Sequence, residues 1–381
     1  MIVAKPMRDF ALEVHFSKWE FKARYNLTGS DAESMTISKL LAFATDDERS
    51  AFENLHLGYT ETFGSPALRE AIAGTYDTIG AEDVLCFAGA GEGIFVAMQV
   101  LLRAGDHAVV ITPNYQSAET VPLTICEVSG VALDESNGWS LDVDRIGAAI
   151  RPSTRLVSIN FPNNPTGAIP TQETMNALLD LCRENDLWLF SDEVYRGLET
   201  DPSRRVQQIA DSYEKGLSLN VMSKAYGLPG LRIGWIACRD RELLARMERY
   251  KHYLSICNSG PSELLATIAL KSRKAILERN VALIRKNIVA ARHFFDAHRD
   301  LFEFEAPDGG CVCFVKYKGA DGVEEFTRRL VEEAGVLLLP SNLYRSEVGD
   351  VPQDYFRLGL GRTLVSQALN AMQNFMRKSG Q

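Results

Sequence analysis

The stretch from Arg155 to Tyr195, RLVSINFPNNPTGAIPTQETMNALLDLCRENDLWLFSDEVY, decides the fold class. It starts with an apolar, strand-like run that Asn and Pro break by residue 167. Residues 171–185 place apolar side chains at i, i+3, i+4 and i+7, which is the spacing of one helix face, and residues 186–195 return to a strand pattern. Near-continuous apolar strands separated by a helix are typical of a parallel sheet that helices cover on both faces.

The same alternation extends to either side of this stretch. Residues 107–113 and 217–223 are further strand-like runs. The C-terminal part differs, because an amphipathic helix near 322–334 is followed by short strands and a last amphipathic helix. We therefore expect an α/β fold, with a mostly parallel seven-stranded type of sheet in a large domain and a smaller α+β domain.

The predicted boundaries follow from this change of pattern. We place an N-terminal segment at 1–44, packing with the small domain and the active site, a large domain at 45–260 and the small C-terminal domain at 261–381. A long helix from about residue 241 is expected to join the two domains.

Composition narrows the possible partners. The 381 residues carry a net charge of -9, which argues against nucleic acid, because phosphate binding requires a basic surface. The chain has no apolar run long enough to span a membrane and no secretory signal pattern at its start. Seven scattered cysteines suit reduced, buried thiols in a cytoplasmic protein. Cys311 and Cys313 are interpreted as core residues, with metal binding the less favoured alternative.

The first cluster along the chain with a possible binding role is rich in glycine. Gly89, Ala90 and Gly91 precede an apolar helical pattern, and a helix N-terminus with small residues can bind an anion. A dinucleotide fingerprint would require glycine at position 94, which is Ile94. Taken alone, the cluster is equally well explained as a plain turn and helix start.

Polar residues also follow two apolar strands. Asn164 lies in NFPNNPTG (160–167), and Asp192 and Tyr195 lie in LFSDEVYRGL (189–198). Ligands of open α/β sheets bind at the carboxyl ends of strands, so these side chains can meet there. A turn and a helix cap are the structural alternatives.

The last cluster is SKAYGLPGLRIGW (223–235), which places Lys224 after a strand and Arg232 eight residues later. A solvated lysine beside a turn is the plain alternative, whereas a reactive lysine forms a Schiff base. Taken together, the four clusters supply a carboxylate, a phenol, an amide, a lysine, an arginine and an anion-binding helix start. This set matches pyridoxal phosphate, whose ring acts as an electron sink when an acid keeps its nitrogen protonated.

On these motifs, NNPTG (163–167), SDEVY (191–195) and SKAYGLPGLRIGW (223–235), the chain resembles the class I/II aminotransferases of the fold-type I pyridoxal-phosphate enzymes. GYTETFGSPALREAIA (58–73) is similar to the substrate-side segment of that family. DYFRLGLG (354–361) is similar to its carboxylate-binding strand. The resemblance spans most of the chain.

The resemblance implies roles for the residues around the cofactor ring. Lys224 would hold the cofactor through a Schiff base and later move the substrate's α-proton. Asp192 would pair with the ring nitrogen, and Tyr195 and Asn164 would bind the phenolate oxygen. The ring of Tyr115 would stack on the pyridine face.

The resemblance also implies how the phosphate is held. Ala90 and Gly91 would donate backbone N–H groups, Ser223 a hydroxyl and Arg232 a guanidinium. Val221 stands where the family often has Ser or Thr, so one phosphate hydroxyl is missing or replaced.

Three further residues would complete the site. Arg357 would bind the substrate α-carboxylate bidentately, together with Asn164, and Gly29 would offer it a backbone N–H. Tyr59 would reach the phosphate of a neighbouring subunit, which implies a homodimer with shared sites. The segment 25–41 aligns only loosely with the family, and substrate choice is expected to differ there.

The implied activity is a ping-pong transfer of an amino group from an α-amino acid to a 2-oxo acid. A lyase, decarboxylase, racemase or oxidase with the same cofactor is the alternative, because the pocket chooses which bond breaks. A non-catalytic binding protein on this fold is a second alternative. The intact set of Lys, Asp, Tyr, Asn and Arg residues counts against it.

Overall fold

The structure is a computed structural model that describes residues 6–379. The α-helices are α1 (Ala11–Trp19), α2 (Ile37–Leu41), α3 (Asp46–Glu53), α4 (Pro66–Ala73), α5 (Ala90–Leu101), α6 (Ser117–Leu123), α7 (Val143–Ala149), α8 (Gln172–Glu184), α9 (Ile209–Ser212), α10 (Arg241–Lys251), α11 (Gly260–Lys271), α12 (Arg273–Asp296), α13 (Val323–Ala334) and α14 (Val365–Ser379). The strands are β1 (Tyr25–Asn26), β2 (Val84–Phe87), β3 (His107–Thr112), β4 (Glu127–Ala132), β5 (Thr154–Asn160), β6 (Trp188–Asp192), β7 (Gly216–Val221), β8 (Gly234–Ala237), β9 (Phe302–Glu303), β10 (Val312–Tyr317), β11 (Val336–Leu337), β12 (Leu339–Pro340) and β13 (Tyr355–Gly359).

The predicted α/β fold with a separate, smaller sheet is confirmed. The large sheet has seven strands in the order β2-β8-β7-β6-β5-β3-β4. Strands β3 to β7 pair in parallel, and β8 runs antiparallel to both of its neighbours. The carboxyl ends of β2, β3, β5, β6 and β7 therefore meet at one edge, where β8 begins.

Two apolar cores explain why the strands are continuously apolar. Leu156 and Phe190 point into one core, whereas Val157 and Leu189 point into the other. Successive strand residues face opposite sides of a sheet, so burial on both sides requires apolar residues at every position.

The strand–helix–strand unit predicted from residues 155–195 is present as β5, α8 and β6. The predicted helix face, Met175, Leu178, Leu179 and Cys182, is buried. The Thr171 hydroxyl caps the helix by accepting a hydrogen bond from the Thr174 N–H (3.1 Å). The parallel pairing sets Asn160 beside Asp192 at the ends of the two strands.

The C-terminal part forms its own antiparallel sheet, in the order β12-β13-β10-β9. A third core lies between this sheet and helices α12, α13 and α14, and it includes Leu27 from the N-terminal segment. Strand β1 also pairs with β11, so the start of the described chain packs against its C-terminal part. The domain boundaries at 44 and 260 remain predictions.

The expected long helix from residue 241 is wrong in its length. Helix α10 ends at Lys251, and the backbone turns at Ile256, whose φ is 63°. The buried Lys251 ammonium donates hydrogen bonds to the carbonyls of Thr62 (2.6 Å) and Cys86 (2.8 Å), which fixes the end of α10 against the large sheet. The long helix is α12, which starts at Arg273.

Three further observations concern the cysteines, possible metal ligands and the helices. All seven cysteines are free, and six of them, including Cys311 and Cys313, are buried. Within residues 6–379, no group of three or more potential ligand side chains is placed to bind a metal ion. None of the helices in this part of the chain is long and apolar enough to cross a membrane.

Candidate active site

A cavity of about 350 Å³ opens where the parallel strands end. This size is within the range of small-molecule sites. The structure brings nine of the predicted site residues to its wall: Ala90, Gly91, Tyr115, Asn164, Asp192, Tyr195, Ser223, Lys224 and Arg232.

Lys224 follows β7 and projects into this cavity. Its ammonium donates a hydrogen bond to the Ser30 hydroxyl (2.8 Å), and the Ala32 N–H donates to the Lys224 carbonyl (3.1 Å). Removal from water lowers the pKa of Lys224, and Arg357 lowers it further, while Asp31 acts in the opposite direction. A larger share of neutral, nucleophilic amine follows at neutral pH.

Asp192 ends β6 and is only 9% exposed. Its carboxylate accepts a hydrogen bond from the Val194 N–H (3.2 Å). Burial raises the pKa of Asp192 to about 7, against the opposing effects of that N–H and of Lys224. A cationic group placed against this carboxylate would favour its ionised form, so the residue suits a protonated ring nitrogen.

Tyr195 and Asn164 provide polar groups beside Lys224. The Tyr195 hydroxyl is buried and makes no hydrogen bond of good geometry within residues 6–379. Burial raises its pKa, although Ser30 and Arg357 lie close enough to lower it. The Asn164 side-chain oxygen accepts from Arg357 (3.1 Å) and Tyr344 (3.3 Å), which leaves its NH₂ group to donate elsewhere.

The other end of the cavity is suited to an anion. Ala90 and Gly91 open helix α5 after Gly89, whose φ of 99° needs a glycine. The Arg232 guanidinium donates to the Ala88 carbonyl (3.3 Å) and has no acidic partner in the described part of the chain. A helix N-terminus, the Ser223 hydroxyl and an uncompensated guanidinium together match a phosphate.

Val221 is buried and lines the same cavity. Of the lining residues, only Ser223 carries an aliphatic hydroxyl. Where the family often has Ser or Thr, Val221 therefore offers only an apolar contact. No lining residue other than Ser223 supplies an aliphatic hydroxyl that could replace the missing one.

Three predicted residues lie outside the cavity wall. Arg357 is 1% exposed and sits behind Asn164, donating also to the Tyr344 hydroxyl and the Thr28 carbonyl (both 2.6 Å). Gly29 packs on Gly359 at the end of β13. Tyr59 is 92% exposed and does not reach the cavity of its own chain. The roles assigned to these three residues remain predictions.

Sequence reasoning missed four residues of the site. Glu13, Asn160, Ser30 and Tyr344 line the cavity or contact the residues that do. Asn160 ends its strand as Asp192 does, so the same strand-end argument identifies it. The others come from segments that lie far along the chain from the motifs, and no local pattern marks them.

The family described as aminotransferase class I and II matches residues 26–365. The chain belongs to this family. The family inferred from the three motifs is thus confirmed, and the named relatives include transaminases.

Two named relatives cover most of the chain. Capreomycidine synthase of Streptomyces vinaceus is 28% identical over 344 residues, which cover 90% of this chain and 86% of that protein. The arginine–pyruvate transaminase of Pseudomonas aeruginosa is 29% identical over 335 residues, covering 82% and 81%. A solved pyridoxal-phosphate-dependent aminotransferase from Streptococcus suis superposes with a TM-score of 0.91 at 29% identity, covering 98% of this chain and 99% of that one.

Proposed function

We propose that this protein is a pyridoxal-phosphate-dependent aminotransferase that moves the amino group of an α-amino acid to a 2-oxo acid. The observation that carries the proposal is one cavity whose wall contains Lys224, the buried carboxylate of Asp192 and the guanidinium of Arg232. When bound, the cofactor supplies an aldehyde that couples covalently to amines and a ring that withdraws electrons from the substrate.

Lys224 is the proposed proton carrier. Its Nζ sits beside the Ser30 hydroxyl in a site that lowers the amine pKa. A neutral amine there would attach the cofactor. Once the substrate amine has displaced it, the freed Lys224 amine would accept the substrate's α-proton and donate it to the carbon that had been the cofactor's aldehyde. The Ser30 hydroxyl fixes where the amine rests.

The neighbouring side chains keep the ring in its reactive charge state. Asp192 would hold a proton on the ring nitrogen, since its buried carboxylate gains most from a cationic partner. The Tyr195 hydroxyl and the Asn164 NH₂ group would donate to the ring oxygen. Tyr115, whose ring packs on Phe10 at 4.9 Å, would cover one face of the ring.

Arg357 is the proposed anchor of the substrate carboxylate. It is buried, fixed by hydrogen bonds to Asn164, Tyr344 and Thr28, and its Nε has no partner within residues 6–379. A guanidinium that is already oriented binds a carboxylate with little loss of side-chain entropy.

The proposal includes a homodimer. Leu57, Tyr59 and Tyr253 are 81%, 92% and 90% exposed. The Thr60 hydroxyl donates to the Asn258 carbonyl (2.9 Å), which joins the two segments that bear these residues. Exposed large apolar side chains suit a subunit interface, and such an interface would bring Tyr59 to the partner's phosphate. The free cysteines support the cytoplasmic location that we also propose.

The test replaces Lys224 with alanine. After borohydride reduction, the wild-type protein should carry the cofactor covalently on the peptide that contains Lys224, and the Lys224→Ala variant should carry none and lose nearly all turnover. Lys251→Met is the matched control, because Lys251 is also buried with a lowered pKa but lies outside the cavity wall. Full activity of Lys224→Ala would refute the proposal.

A second candidate is a lyase or cyclisation reaction on the same cofactor. It is favoured by the Glu13 carboxylate in the cavity, since an acid beside the substrate can protonate a leaving group, and by the similarity to capreomycidine synthase. Product analysis separates the two reactions. A transaminase requires a 2-oxo acid acceptor in equal amount, whereas the alternative consumes the amino acid without one.

A further inference from the structure

Helix α1 contributes Glu13 to the cavity wall and is held in place by contacts with residues 116–119. The Arg8 guanidinium forms an ion pair with Glu119 (2.6 Å), which is 1% exposed. The Ala11 N–H donates to the Gln116 side chain (3.0 Å), and that side chain donates to the Asp9 carbonyl (2.9 Å). These buried partners hold the start of α1 in one place, so its side chains have a defined position at the site.

Two carboxylates belong to this segment, and one of them lies in the cavity wall. Glu13 lines the cavity and accepts a hydrogen bond from the Tyr115 hydroxyl (3.4 Å). Glu20 follows two helical turns later on the same face. Within residues 6–379 neither forms an ion pair, whereas Asp31 nearby is neutralised by Arg362 (2.7 Å).

Glu20 interacts electrostatically with several charges around the site. Partial burial raises the pKa of Glu20, and the charges of Glu13 and Asp31 raise it further, while Arg362 and Lys224 lower it. Glu13 and Glu20 therefore repel each other, and a cation beside Glu13 would relieve that repulsion.

The cavity also shows independently that it is built for a ligand. The Tyr195 hydroxyl lies in its wall, belongs to a side chain that is 1% exposed, and makes no hydrogen bond of good geometry within residues 6–379. Buried hydroxyls without a partner are rare, so this group is available to donate to a bound molecule, which in the proposed function is the cofactor through its ring oxygen.

We propose that Glu13, assisted by Glu20, selects amino-acid substrates whose side chains end in a guanidinium or ammonium group. This inference rests on the proposed function, which assigns Arg232 to the phosphate and Arg357 to the α-carboxylate. With those cations committed, the carboxylates are the charges left for the substrate side chain. A second carboxylate on the substrate would meet Glu13 and be repelled, so the same residues exclude acidic amino acids.

The test measures binding separately from turnover. Desamino-arginine and desamino-citrulline have nearly the same shape and cannot react, because they lack the amino group, but only the first carries a cation. Titration calorimetry on the holoenzyme should show that desamino-arginine binds about 10- to 100-fold more tightly, as expected for a charge-assisted hydrogen bond.

The variants assign this preference to residues. Glu13→Gln should reduce the affinity ratio of the two analogues to about threefold or less, and Glu20→Gln should reduce it less; Glu13→Lys should invert it. Glu184→Gln, on the exposed end of α8, is the matched control and should keep the wild-type ratio. Cofactor absorbance of each variant verifies that it has folded.

Two results would overturn the inference: equal binding of the analogues by the wild-type enzyme, or a ratio that survives in Glu13→Gln. A holoenzyme that binds the cationic analogue selectively but transaminates no amino acid would refute the proposed function and leave the cationic site standing. If the enzyme instead transaminates neutral or acidic amino acids and binds the two analogues about equally, the proposed function stands and the cationic site is refuted.

Discussion

Replacing Gly89 with alanine should weaken both the fold and the proposed phosphate site. Gly89 has φ 99° and ψ 170°, a region that costs other residues about 1–3 kcal/mol. A Cβ there would also lie 2.3 Å from the Arg232 Nη2 atom. The flexible guanidinium can move away, but it then loses its hydrogen bond to Ala88 and leaves the anion-binding end of the cavity.

We therefore expect Gly89→Ala to lower the free energy of unfolding by about 1–3 kcal/mol. It should also weaken binding of pyridoxal phosphate about 10- to 100-fold, the effect of losing one charge-assisted contact. Urea unfolding and cofactor titration followed by absorbance measure the two effects.

Gly91→Ala is the matched control for stability. A Cβ at Gly91 would meet no atom within 4 Å, and alanine is a better helix former, so this variant should be about 0.5–1 kcal/mol more stable than the wild type. If Gly89→Ala unfolds at the wild-type urea concentration and binds the cofactor normally, the conformational and steric argument is wrong.

Two further predictions concern Asp192 and Arg357. Burial raises the pKa of Asp192 from 3.8 to about 7, so the folded, cofactor-free enzyme loses stability as the pH rises between these values. Asp192→Asn should remove up to about 4 kcal/mol of that loss between pH 4 and pH 8. A variant with the wild-type pH dependence of stability would contradict the assignment. Asp300→Asn, at an exposed position, is the control. Arg357→Lys cannot keep the contacts to Asn164, Tyr344 and Thr28. It should raise the KM for the amino acid at least about tenfold and lower the free energy of unfolding, measured in urea, by about 1–3 kcal/mol. An unchanged KM would show that Arg357 does not bind the substrate.

Much of the cofactor end of the site was predictable because it is built from local rules. An apolar run that ends in a polar residue, such as LFSD, indicates a buried strand. Parallel strands bring their carboxyl ends to one edge of the sheet. Asp192, Asn164 and Lys224 each follow such a strand closely, so their meeting follows from the strand pattern and the sheet type. The helix start at Ala90 was predictable for the same reason.

The path of the chain between α10 and α12 was only partly predictable. Asn258, Gly260 and Pro261 mark a local break that the expectation of one long helix overlooked. The end of α10 at Lys251 depends instead on contacts of that side chain with two distant carbonyls, which no local pattern contains.

The sequence by itself determined the fold class, the family and the residues that point to a cofactor, since each depends on the order of residues within one short segment. Only the tertiary structure decided that Arg232 returns to the cavity, because β8 runs antiparallel and therefore begins at the edge where the other strands end. It also brought Ser30 to Lys224 and Glu13 to Tyr115, across 194 and 102 positions of the chain. These contacts form only when separate elements pack together, and they lie at the part of the site where we expect the substrate to be chosen.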